Sequence, residues 1–555
     1  MTHSLVEVTD LVVEFPVGGA GEHVRAVDRV SFTLEAGRAL GIVGESGSGK
    51  STVATALLGL HRGTGARLGG TVRVGGTDVA TASAAELRRL RGGTAAMVFQ
   101  DPLNALDPYY AIGDQIAEVH RIHADVSRRA ARARAVEVLD RVGIPDAVRR
   151  SRARPHEFSG GMRQRALIAM ALACEPRLLI ADEPTTALDV TVQAQILDLL
   201  HGLREERGLG LLLVTHDVGV AAESVDEVLV MRGGCAVERG AVASVLAAPV
   251  EAYTRALLAA VPRLDGPRRS RGSAPDPAPR TPTGPEVPPA GEGAPVVEAF
   301  ALRREFGRGR RRVTAVAGVS LAVHAGETLG IVGESGSGKS TLGRMLVGLL
   351  EPGSGQLRRD GAEVTGVASG VQMVFQDPVS SLNPRRSIGE SIADPLRAAG
   401  ERNEAAVRAR VEELLLRVGL EAEHYDRYPH EFSGGQRQRV GIARALAPRP
   451  RLIVCDEPVS ALDVTTQAQV TALLAELQRE LGIALVFIAH DLAVVRQVSD
   501  RVAVMRAGEI VEEGPVDQVY DRPAHAYTRQ LLAAVPALDP GRAADRRRTR
   551  QGVFA

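Results

Sequence analysis

The sequence predicts an α/β fold that is built twice, with a parallel sheet buried between helices in each copy. Apolar runs of about four to six residues alternate with helical segments, as in sheets covered on both faces. The same motifs occur twice in the same order, and each copy has a glycine-rich loop between an apolar run and a helix. Such sheets bind ligands at the carboxyl ends of their strands, where we expect the active residues.

Three pairs of apolar runs are the predicted core strands. Each pair precedes a polar motif: first a glycine loop, then Asp-Glu, then His-Asp. Because parallel strands end at one edge, the three motifs of a copy should form one site. The paired runs are residues 39–43 and 329–332, 178–181 and 452–454, and 211–214 and 485–488.

The composition is that of a globular protein of two to four domains. The 555 residues are 45% hydrophobic, and 67 basic residues balance 67 acidic ones. A neutral chain has no overall attraction to nucleic acid, so no nucleic-acid partner is expected. The N-terminus lacks the features of a signal peptide, and no apolar run approaches the roughly 20 residues of a membrane helix.

The cysteines indicate no metal centre. Cys174, Cys235 and Cys455 are widely spaced, and the chain has no CxxC pair or Cys/His cluster of the kind that binds zinc or iron–sulfur clusters. We therefore expect free thiols in a reducing compartment.

The spacing of the two copies indicates a duplicated domain. Lys339 follows Lys50 by 289 positions, whereas three later motif pairs are each separated by 274, as after a loop deletion in the second copy. The stretch between the copies is rich in Pro, Gly, Ser, Arg and Thr, which is typical of a flexible linker. The predicted domains are 1–265 and 296–540, joined by a linker over 266–295 and followed by an Arg-rich tail over 541–555.

Lysine usage identifies the first site. Lys50 and Lys339 are the only lysines, and both lie in the octapeptide Gly-Glu-Ser-Gly-Ser-Gly-Lys-Ser, so these positions need a compact ammonium rather than a guanidinium. The pattern predicts a P-loop, in which backbone N–H groups and the lysine bind phosphates and the final serine binds Mg²⁺. The predicted nucleotide-binding residues are Gly44, Glu45, Ser46, Gly47, Ser48, Gly49, Lys50, Ser51 and Thr52, and Gly333, Glu334, Ser335, Gly336, Ser337, Gly338, Lys339, Ser340 and Thr341.

Two carboxylates end the next predicted strand of each copy. Asp182 and Glu183, like Asp456 and Glu457, come after an apolar run about 120 to 130 residues beyond the P-loop. The first acid is placed to hold the water shell of a metal, and the second to polarise an attacking water. Together with the P-loops, these pairs predict a nucleotide hydrolase.

A third motif, Phe-Ser-Gly-Gly, precedes each Asp-Glu strand and starts at Phe158 and Phe432. Ser-Gly-Gly ahead of a helix is another N-terminus that accepts an anion. A domain that already has a P-loop does not need it for its own nucleotide, so we expect it to complete the site of a partner domain.

This order of motifs resembles that of the ATP-binding cassette (ABC) ATPases over about residues 5–262 and 296–536. The resemblance implies two tandem P-loop NTPase domains, each with a RecA-like parallel-sheet core, an antiparallel β subdomain and a helical subdomain. It implies an ATPase that uses ATP and Mg²⁺.

The resemblance also assigns roles to single residues. Gln100 and Gln376 match the Q-loop glutamines, which touch the metal or water, and His216 and His490 match the switch histidines at the γ-phosphate. With Glu183 and Glu457 they make up the implied catalytic set. The implied metal-binding residues are Ser51, Gln100, Asp182, Ser340, Gln376 and Asp456. The Phe-Ser-Gly-Gly motif matches the signature motif of the family, and its residues implied to bind nucleotide are Ser159, Gly160, Gly161, Ser433, Gly434, Gly435 and Gln436. Asp189 and Asp463 match the acids of the D-loop, which are also implied to bind nucleotide.

In the ABC family, two cassettes pack head to tail with ATP between them. The resemblance therefore implies an intramolecular dimer in which each P-loop shares a site with the signature of the other copy, and the linker is long enough to permit it. We expect both sites to hydrolyse ATP. Met162 stands where the second copy has Gln436, and a thioether cannot make the hydrogen bonds of an amide, which leaves open whether the two sites are equally active.

Two further segments resemble the oligopeptide/dipeptide-type importer ATPases: Gln-Asp-Pro from Gln100 and Gln376, and Ala-Tyr-Thr-Arg from Ala252 and Ala526. The resemblance implies a motor on the cytoplasmic face of the membrane that drives uptake of peptides or related solutes. Its implied partners are two transmembrane permease subunits and a solute-binding protein. The alternatives are an exporter motor and a soluble twin-cassette ATPase acting on ribosomes or DNA.

The residue that stacks on adenine stays open at this point. Phe15 and Phe306 are the nearest aromatic candidates, and Arg25 or the arginines of residues 310–312 are the alternative.

Overall fold

The computed structural model of the chain describes residues 4–17, 22–186, 188–264, 295–307, 312–367, 370–460, 462–539 and 541. They form two compact units, one from Met1–Val261 with Pro536–Ala555 and the other from Pro262–Val535. The predicted linker and Arg-rich tail lie outside the described residues, apart from Pro295, where a strand begins, and Gly541. The domain boundaries therefore stay predictions.

The first unit contains ten strands and eleven α-helices among its described residues. The strands are β1 (Val6–Pro16), β2 (His23–Leu34), β3 (Ala39–Val43), β4 (Arg67–Val74), β5 (Thr77–Asp78), β6 (Ala95–Val98), β7 (Leu178–Asp182), β8 (Gly210–Thr215), β9 (Glu227–Arg232) and β10 (Cys235–Ala241). The helices are α1 (Lys50–Ala56), α2 (Ala84–Arg89), α3 (Pro102–Ala105), α4 (Ile112–His123), α5 (Arg128–Arg141), α6 (Ala147–Arg150), α7 (Gly160–Leu172), α8 (Val190–Arg207), α9 (Val218–Ser224), α10 (Val242–Ala247) and α11 (Ala252–Ala260).

The second unit repeats this order, with ten strands and nine α-helices among its described residues. The strands are β11 (Pro295–Phe306), β12 (Val313–His324), β13 (Thr328–Val332), β14 (Ser354–Arg359), β15 (Ala362–Glu363), β16 (Val371–Val374), β17 (Leu452–Asp456), β18 (Ala484–Ile488), β19 (Arg501–Arg506) and β20 (Glu509–Pro515). The helices are α12 (Lys339–Val347), α13 (Pro378–Ser381), α14 (Ile388–Ala398), α15 (Glu404–Arg417), α16 (Gly434–Leu446), α17 (Val464–Leu481), α18 (Leu492–Val498), α19 (Val516–Asp521) and α20 (Ala526–Ala534).

Each unit has a six-stranded sheet as its core. The strand order is β10-β9-β3-β8-β7-β6 in the first unit and β16-β17-β18-β13-β19-β20 in the second. Five strands of each sheet run parallel, and only the hairpin partners β10 and β20 are antiparallel. Every residue of β3, β7 and β8 is buried, which explains their uninterrupted apolar sequences.

A four-stranded antiparallel sheet packs beside each parallel sheet. Its order is β2-β1-β4-β5 in the first unit and β12-β11-β14-β15 in the second. The P-loop helix contributes to the core between the sheets, where Val53 and Leu57 are buried with Val13, Val30 and other aliphatic side chains. Burial of each such side chain contributes about 1.5–3 kcal/mol, so the core fixes the position of the P-loop.

Helices α3–α7 and α13–α16 lie between the sixth and seventh strands of their units and form the helical subdomains. The predicted fold, two cassettes with a parallel-sheet core, an antiparallel subdomain and a helical subdomain, is confirmed. Within the part of the chain that the structure describes, every helix is too short or too polar to traverse a bilayer.

Candidate functional site

The backbone of each P-loop can be formed only by glycine at two positions. Gly44 and Gly49 have φ values of 155° and 93°, in the range that disfavours side chains. A Cβ at Gly44 would overlap the carbonyl oxygen of Met231, and one at Gly49 would overlap that of Ala26. The loop thus runs close to neighbouring backbone, and its own N–H groups are left to line a cradle at the start of α1.

The two lysines lie inside these cradles. The ammonium of Lys50 donates to the carbonyl oxygens of Gly44 at 2.9 Å and Glu45 at 2.7 Å. Lys339 does the same to Gly333 at 2.7 Å and Glu334 at 2.8 Å. Both are buried, so each carries a positive charge into a weakly solvated loop, where it attracts a phosphate strongly.

A serine and an aspartate meet next to each lysine. The hydroxyl of Ser51 donates to Asp182 at 3.0 Å, and that of Ser340 donates to Asp456 at 2.7 Å. Burial raises the pKa of Asp182 to about 6 and also raises that of Asp456, because a buried carboxylate loses its hydration. A nearby cation would favour the charged carboxylates, and these hard oxygen ligands fit Mg²⁺.

The second acid of each pair is held by the predicted glutamine and histidine. Gln100 donates its amide N–H to Glu183 at 2.8 Å, and His216 Nδ1 lies 3.1 Å from the same carboxylate. In the second unit, Gln376 donates to Glu457 at 2.8 Å, and His490 Nδ1 lies 3.5 Å away. The predicted catalytic residues thus meet at the carboxyl edge of the sheet in both units.

Burial and pairing shift the pKa values of this acid and this histidine in opposite directions. Burial alone raises the pKa of Glu183, but the hydrogen bond and charge of His216 outweigh it, so the net pKa is lowered. For His216, burial alone lowers the pKa, but Glu183 and Asp217 raise it above its ordinary value. The same directions hold for Glu457 and His490. The acid is therefore kept ionised, as a base must be.

Both acids also have an unusual backbone. Glu183 and Glu457 have φ values of 46° and 47°, which few residues other than glycine adopt. Their N–H groups donate to the neighbouring strand, to Val214 at 2.8 Å and Ile488 at 2.9 Å. This strained turn directs each side chain off the strand end toward the histidine, as expected where structure is held for function.

The signature motifs begin helices in the helical subdomains. Ser159 is the N-cap of α7 and accepts from the N–H of Met162 at 3.4 Å, while Ser433 caps α16 and accepts from Gln436 at 3.3 Å. Gln436 also accepts from the N–H of Ser433 at 3.0 Å, which completes a capping box. Met162 carries a thioether in place of the amide, so its side chain does not supply this acceptor for the N–H of Ser159. The structure therefore gives the Met/Gln difference a local effect on the N-terminus of the signature helix.

The D-loop acids are helix caps in the structure. Asp189 accepts from the N–H of Val192 at 3.0 Å at the start of α8, and Asp463 accepts from that of Thr466 at 3.0 Å at the start of α17. Their implied contact with nucleotide stays a prediction.

The adenine candidates differ between the units. Phe15 packs edge-on against His61 with ring centroids 5.2 Å apart, whereas Phe306 is 43% exposed with Arg304 above its ring. Arg25 forms a salt bridge with Glu14 at 2.9 Å. Of the other arginines, residues 310 and 311 lie outside the described residues, and the stacking residue stays open.

Sequence reasoning missed two tyrosines that hold the P-loops. The hydroxyl of Tyr253 accepts from the N–H of Glu45 at 3.4 Å, and that of Tyr527 accepts from Glu334 at 3.0 Å. Arg232 and Arg506 each lie 4.9 Å from the centroid of the respective tyrosine ring. The repeated Ala-Tyr-Thr-Arg motif was the available signal, but about 200 residues separate each tyrosine from its loop.

Replacing both tyrosines with phenylalanine is expected to raise the KM for ATP about two- to tenfold with little change in kcat. The variants remove an acceptor worth about 0.5–1.5 kcal/mol from the first turn of each P-loop and keep the ring packing. Steady-state ATPase kinetics measure the effect, with Tyr428→Phe, at a 44% exposed tyrosine, as the control. An unchanged KM in the double variant would contradict a positioning role.

The fold and the site define a nucleoside triphosphatase of the P-loop class, with two complete sets of phosphate, acid, glutamine and histidine groups. Comparisons with known proteins narrow this class. The family model described as "ABC transporter" matches residues 27–186 and 316–460, and the model described as "Oligopeptide/dipeptide transporter, C-terminal region" matches 237–285 and 511–553. The chain belongs to the ABC transporter family and is an ATPase of its oligopeptide/dipeptide importer group.

Similar proteins match nearly the whole length of this chain. The glutathione import ATP-binding protein GsiA of Salmonella paratyphi A is 47% identical over 95% of this chain and 89% of its own length. GsiA of Escherichia coli O157:H7 is 49% identical over 94% of this chain and 88% of its own length. These relatives favour an importer over the exporter and the ribosome or DNA alternatives.

Among solved structures, the ATP-binding cassette MJ0796 bound to ADP and Pi is 31% identical, with a TM-score of 0.37. The match covers 40% of this chain and 98% of that one.

Proposed function

We propose that this chain is the complete motor of an importer for small peptides, in which its two cassettes pair and hydrolyse ATP at two shared sites. The Glu, His and Gln cluster at the strand ends carries the hydrolytic part, because it is formed in both units. The names of the relatives supply the solute class, since glutathione is a small peptide.

The composite nature of the sites is part of the proposal. Within a unit, the P-loop supplies an ammonium and backbone N–H groups for phosphate, yet the signature serine begins a separate helix in the helical subdomain. Head-to-tail pairing would place Ser433 and Gly435 opposite Lys50, and Ser159 and Gly161 opposite Lys339.

The second glycine of each signature motif has no room for a side chain. A Cβ at Gly161 would overlap the side chain of Val192, and one at Gly435 would overlap that of Thr466. These contacts keep each signature helix close to the helix that its D-loop acid caps, so the two motifs would approach a partner's nucleotide as one surface.

In this mechanism Glu183 accepts the proton of the attacking water. Gln100 and His216 hold its carboxylate through hydrogen bonds, and the lowered pKa of Glu183 keeps it ready to accept. Lys50 neutralises charge on the phosphates. Gln376, Glu457, His490 and Lys339 repeat these roles in the second cassette.

Mg²⁺ fits the oxygen atoms beside each P-loop. Ser51 and Asp182 would hold it in the first cassette and Ser340 and Asp456 in the second, with Gln100 and Gln376 within the same cluster. When bound, it would neutralise phosphate charge that the lysines alone leave uncompensated.

The remaining partners follow from the proposed import cycle. Two transmembrane permease subunits would dock on the helical subdomains from the membrane side, and a solute-binding protein would deliver the peptide. The cassettes would work at the cytoplasmic face, where ATP is available, and their closure and opening would move the permease helices.

Affinity purification tests this proposal. The tagged chain carrying Glu183→Gln and Glu457→Gln is purified from detergent-solubilised native membranes with ATP, and the bound proteins are identified by mass spectrometry. We expect two polytopic permease subunits and a solute-binding protein, absent from a parallel purification of untagged chain. Reconstituted into liposomes, the unaltered complex should show ATPase activity that rises with glutathione-loaded binding protein.

Recovery of ribosomal proteins or nucleic acid without any membrane partner would contradict the proposal. So would a reconstituted ATPase rate that no peptide-loaded binding protein alters.

A further inference from the structure

The first unit contains a short segment from near the end of the chain. Besides residues 1–261, it includes the residues that begin at Pro536, just after α20. The N–H of Ala537 donates to the carboxylate of Glu223 at 3.1 Å, and the two residues are only 8% and 6% exposed. A buried carboxylate needs hydrogen-bond donors, and residues 536–539, named the strap below, supply one.

The strap contacts a helix that begins next to the catalytic residues of the first cassette. Glu223 lies in the last turn of α9, and the N-cap of this helix is Asp217, which directly follows the histidine at position 216. All residues of α9 from Val218 to Glu223 are buried. Because its surroundings are closely packed, α9 cannot move away from the strap without disturbing them.

The first turn of α9 leaves room for the strap. A Cβ at Gly219 would lie 3.1 Å from the Cβ of Pro536, which is closer than an ordinary van der Waals contact. It would also lie 3.1 Å from a carboxylate oxygen of Asp217, which caps the helix. Either contact could explain why glycine, a poor helix former, occupies this turn.

The second cassette distinguishes these two explanations. At the start of α18, Asp491 accepts from the N–H of Ala493 at 2.9 Å. At the start of α9, Asp217 accepts from the N–H of Gly219 at 2.8 Å. The same cap is therefore compatible with alanine, and the contact with Pro536 is the reason for glycine in α9.

The anchor of the strap also differs between the cassettes. In the second cassette, Gln497 takes the position of Glu223 and is half-buried. In the first cassette, Arg263 takes the position of Ala537 and is exposed. At these matched positions, a buried acid on the helix and a small buried residue on the segment thus fit the strap to α9.

We infer that the strap is a second joint of the chain, which keeps the second cassette fastened to the first when no nucleotide is bound, with Glu223 as its anchor. The strap follows α20 with only Val535 between them, so it cannot move far from the second cassette. A flexible linker of about 30 residues, as predicted for 266–295, has a root-mean-square span of about 30 Å by itself.

A second joint has a consequence for the ATP cycle. Closing a shorter connection between two domains raises the effective concentration of each at the other, so ATP would bring together cassettes that are already close. This inference goes beyond the proposed function and requires no permease.

The test uses the full chain with a protease site introduced within residues 266–295. The folded chain is cut there, and the amount of the second half recovered on a tagged first half is measured at increasing dilution without nucleotide. The halves of the unaltered chain should stay together. A chain that ends at Val535 lacks the strap but keeps all residues of both cassettes, and its halves should bind at least about tenfold more weakly. A chain that ends at Pro540 keeps the strap and should bind like the unaltered chain.

Substitutions in α9 test the anchor. Glu223→Ala removes the acceptor and leaves the N–H of Ala537 buried, so it should weaken binding of the halves about tenfold or more. Glu223→Gln keeps an acceptor oxygen and should retain more of the affinity. Gly219→Ala, which copies the second cassette, crowds Pro536 and should fall between the unaltered chain and Glu223→Ala.

A double-mutant cycle separates the anchor from a general effect on the first cassette. Glu223→Ala should weaken binding in the full-length chain but have no further effect in the chain that ends at Val535. An equal effect in both chains would overturn the inference, as would halves of the unaltered chain that separate at the same dilution as those of the shortened chain. Failure of the importer proposal would instead appear as a purification without permease subunits, and it would leave these results unchanged.

Discussion

The variant carrying both Glu183→Gln and Glu457→Gln is expected to hydrolyse ATP at least about 100-fold more slowly than the unaltered chain and still to bind ATP. Glutamine has nearly the shape of glutamate but cannot accept the proton of the attacking water, and general-base catalysis contributes about 10² to 10⁴ in rate. The cradle of the P-loop, which binds the phosphates, is not altered. Phosphate release measures the rate, and equilibrium nucleotide binding measures the affinity.

The single variant Glu457→Gln separates the contributions of the two sites. Both clusters are complete, so we expect this change alone to reduce the steady-state rate by at least about half. Glu480→Gln, at an exposed position on α17, removes the same charge far from the strand ends and should have no effect. A Glu457→Gln variant that hydrolyses ATP at the full rate would show that the second site is not catalytic.

Gly338→Ala is expected to weaken ATP binding by the second cassette at least about 100-fold. Gly338 has a φ of 104°, and a Cβ there would overlap the carbonyl oxygen of Ala315, so the loop must move away from neighbouring backbone. The N–H groups at the start of α12 would then no longer converge on the phosphates. Binding is measured with Lys50→Ala in the background, which disables the first site.

A glycine two positions earlier provides the matched control. Gly336 also has a positive φ, 79°, but a Cβ there would meet no atom within 4 Å. Gly336→Ala therefore carries only the backbone strain, about 1–2 kcal/mol, and should weaken binding by no more than about 30-fold. Equal losses in the two variants would mean that strain, and not the contact with Ala315, explains the requirement for glycine at position 338.

The sequence alone predicted the class of protein, a P-loop ATPase, and most of the residues that meet at the strand ends. Lysine at two positions, acids after apolar runs and a repeated order of motifs are local patterns, and each reflects a requirement of chemistry or strand geometry that acts within a few residues. The meeting of the three motifs at one edge of the sheet was predicted as well, since parallel strands place their carboxyl ends together.

Contacts between distant segments were decided only by the tertiary structure. The tyrosines that hold the P-loops come from the last helix of each cassette, and nothing in their local sequence specifies a partner about 200 residues away. The capping box of Gln436 was equally hidden, because the residue was predicted to face nucleotide, yet its side chain also bonds the backbone of its own helix.

The burial of side chains on the signature helices shows the same division. The sequence by itself determined that position 170 is methionine and position 444 arginine, but on a helix either side chain could have faced solvent. Packing of α7 and α16 against their neighbours half-buried both side chains, and the guanidinium of Arg444 donates to the carbonyl oxygen of Ser381 at 2.6 Å. Local motifs thus encode the chemistry of this protein, whereas packing decides which remaining side chains are exposed to a partner.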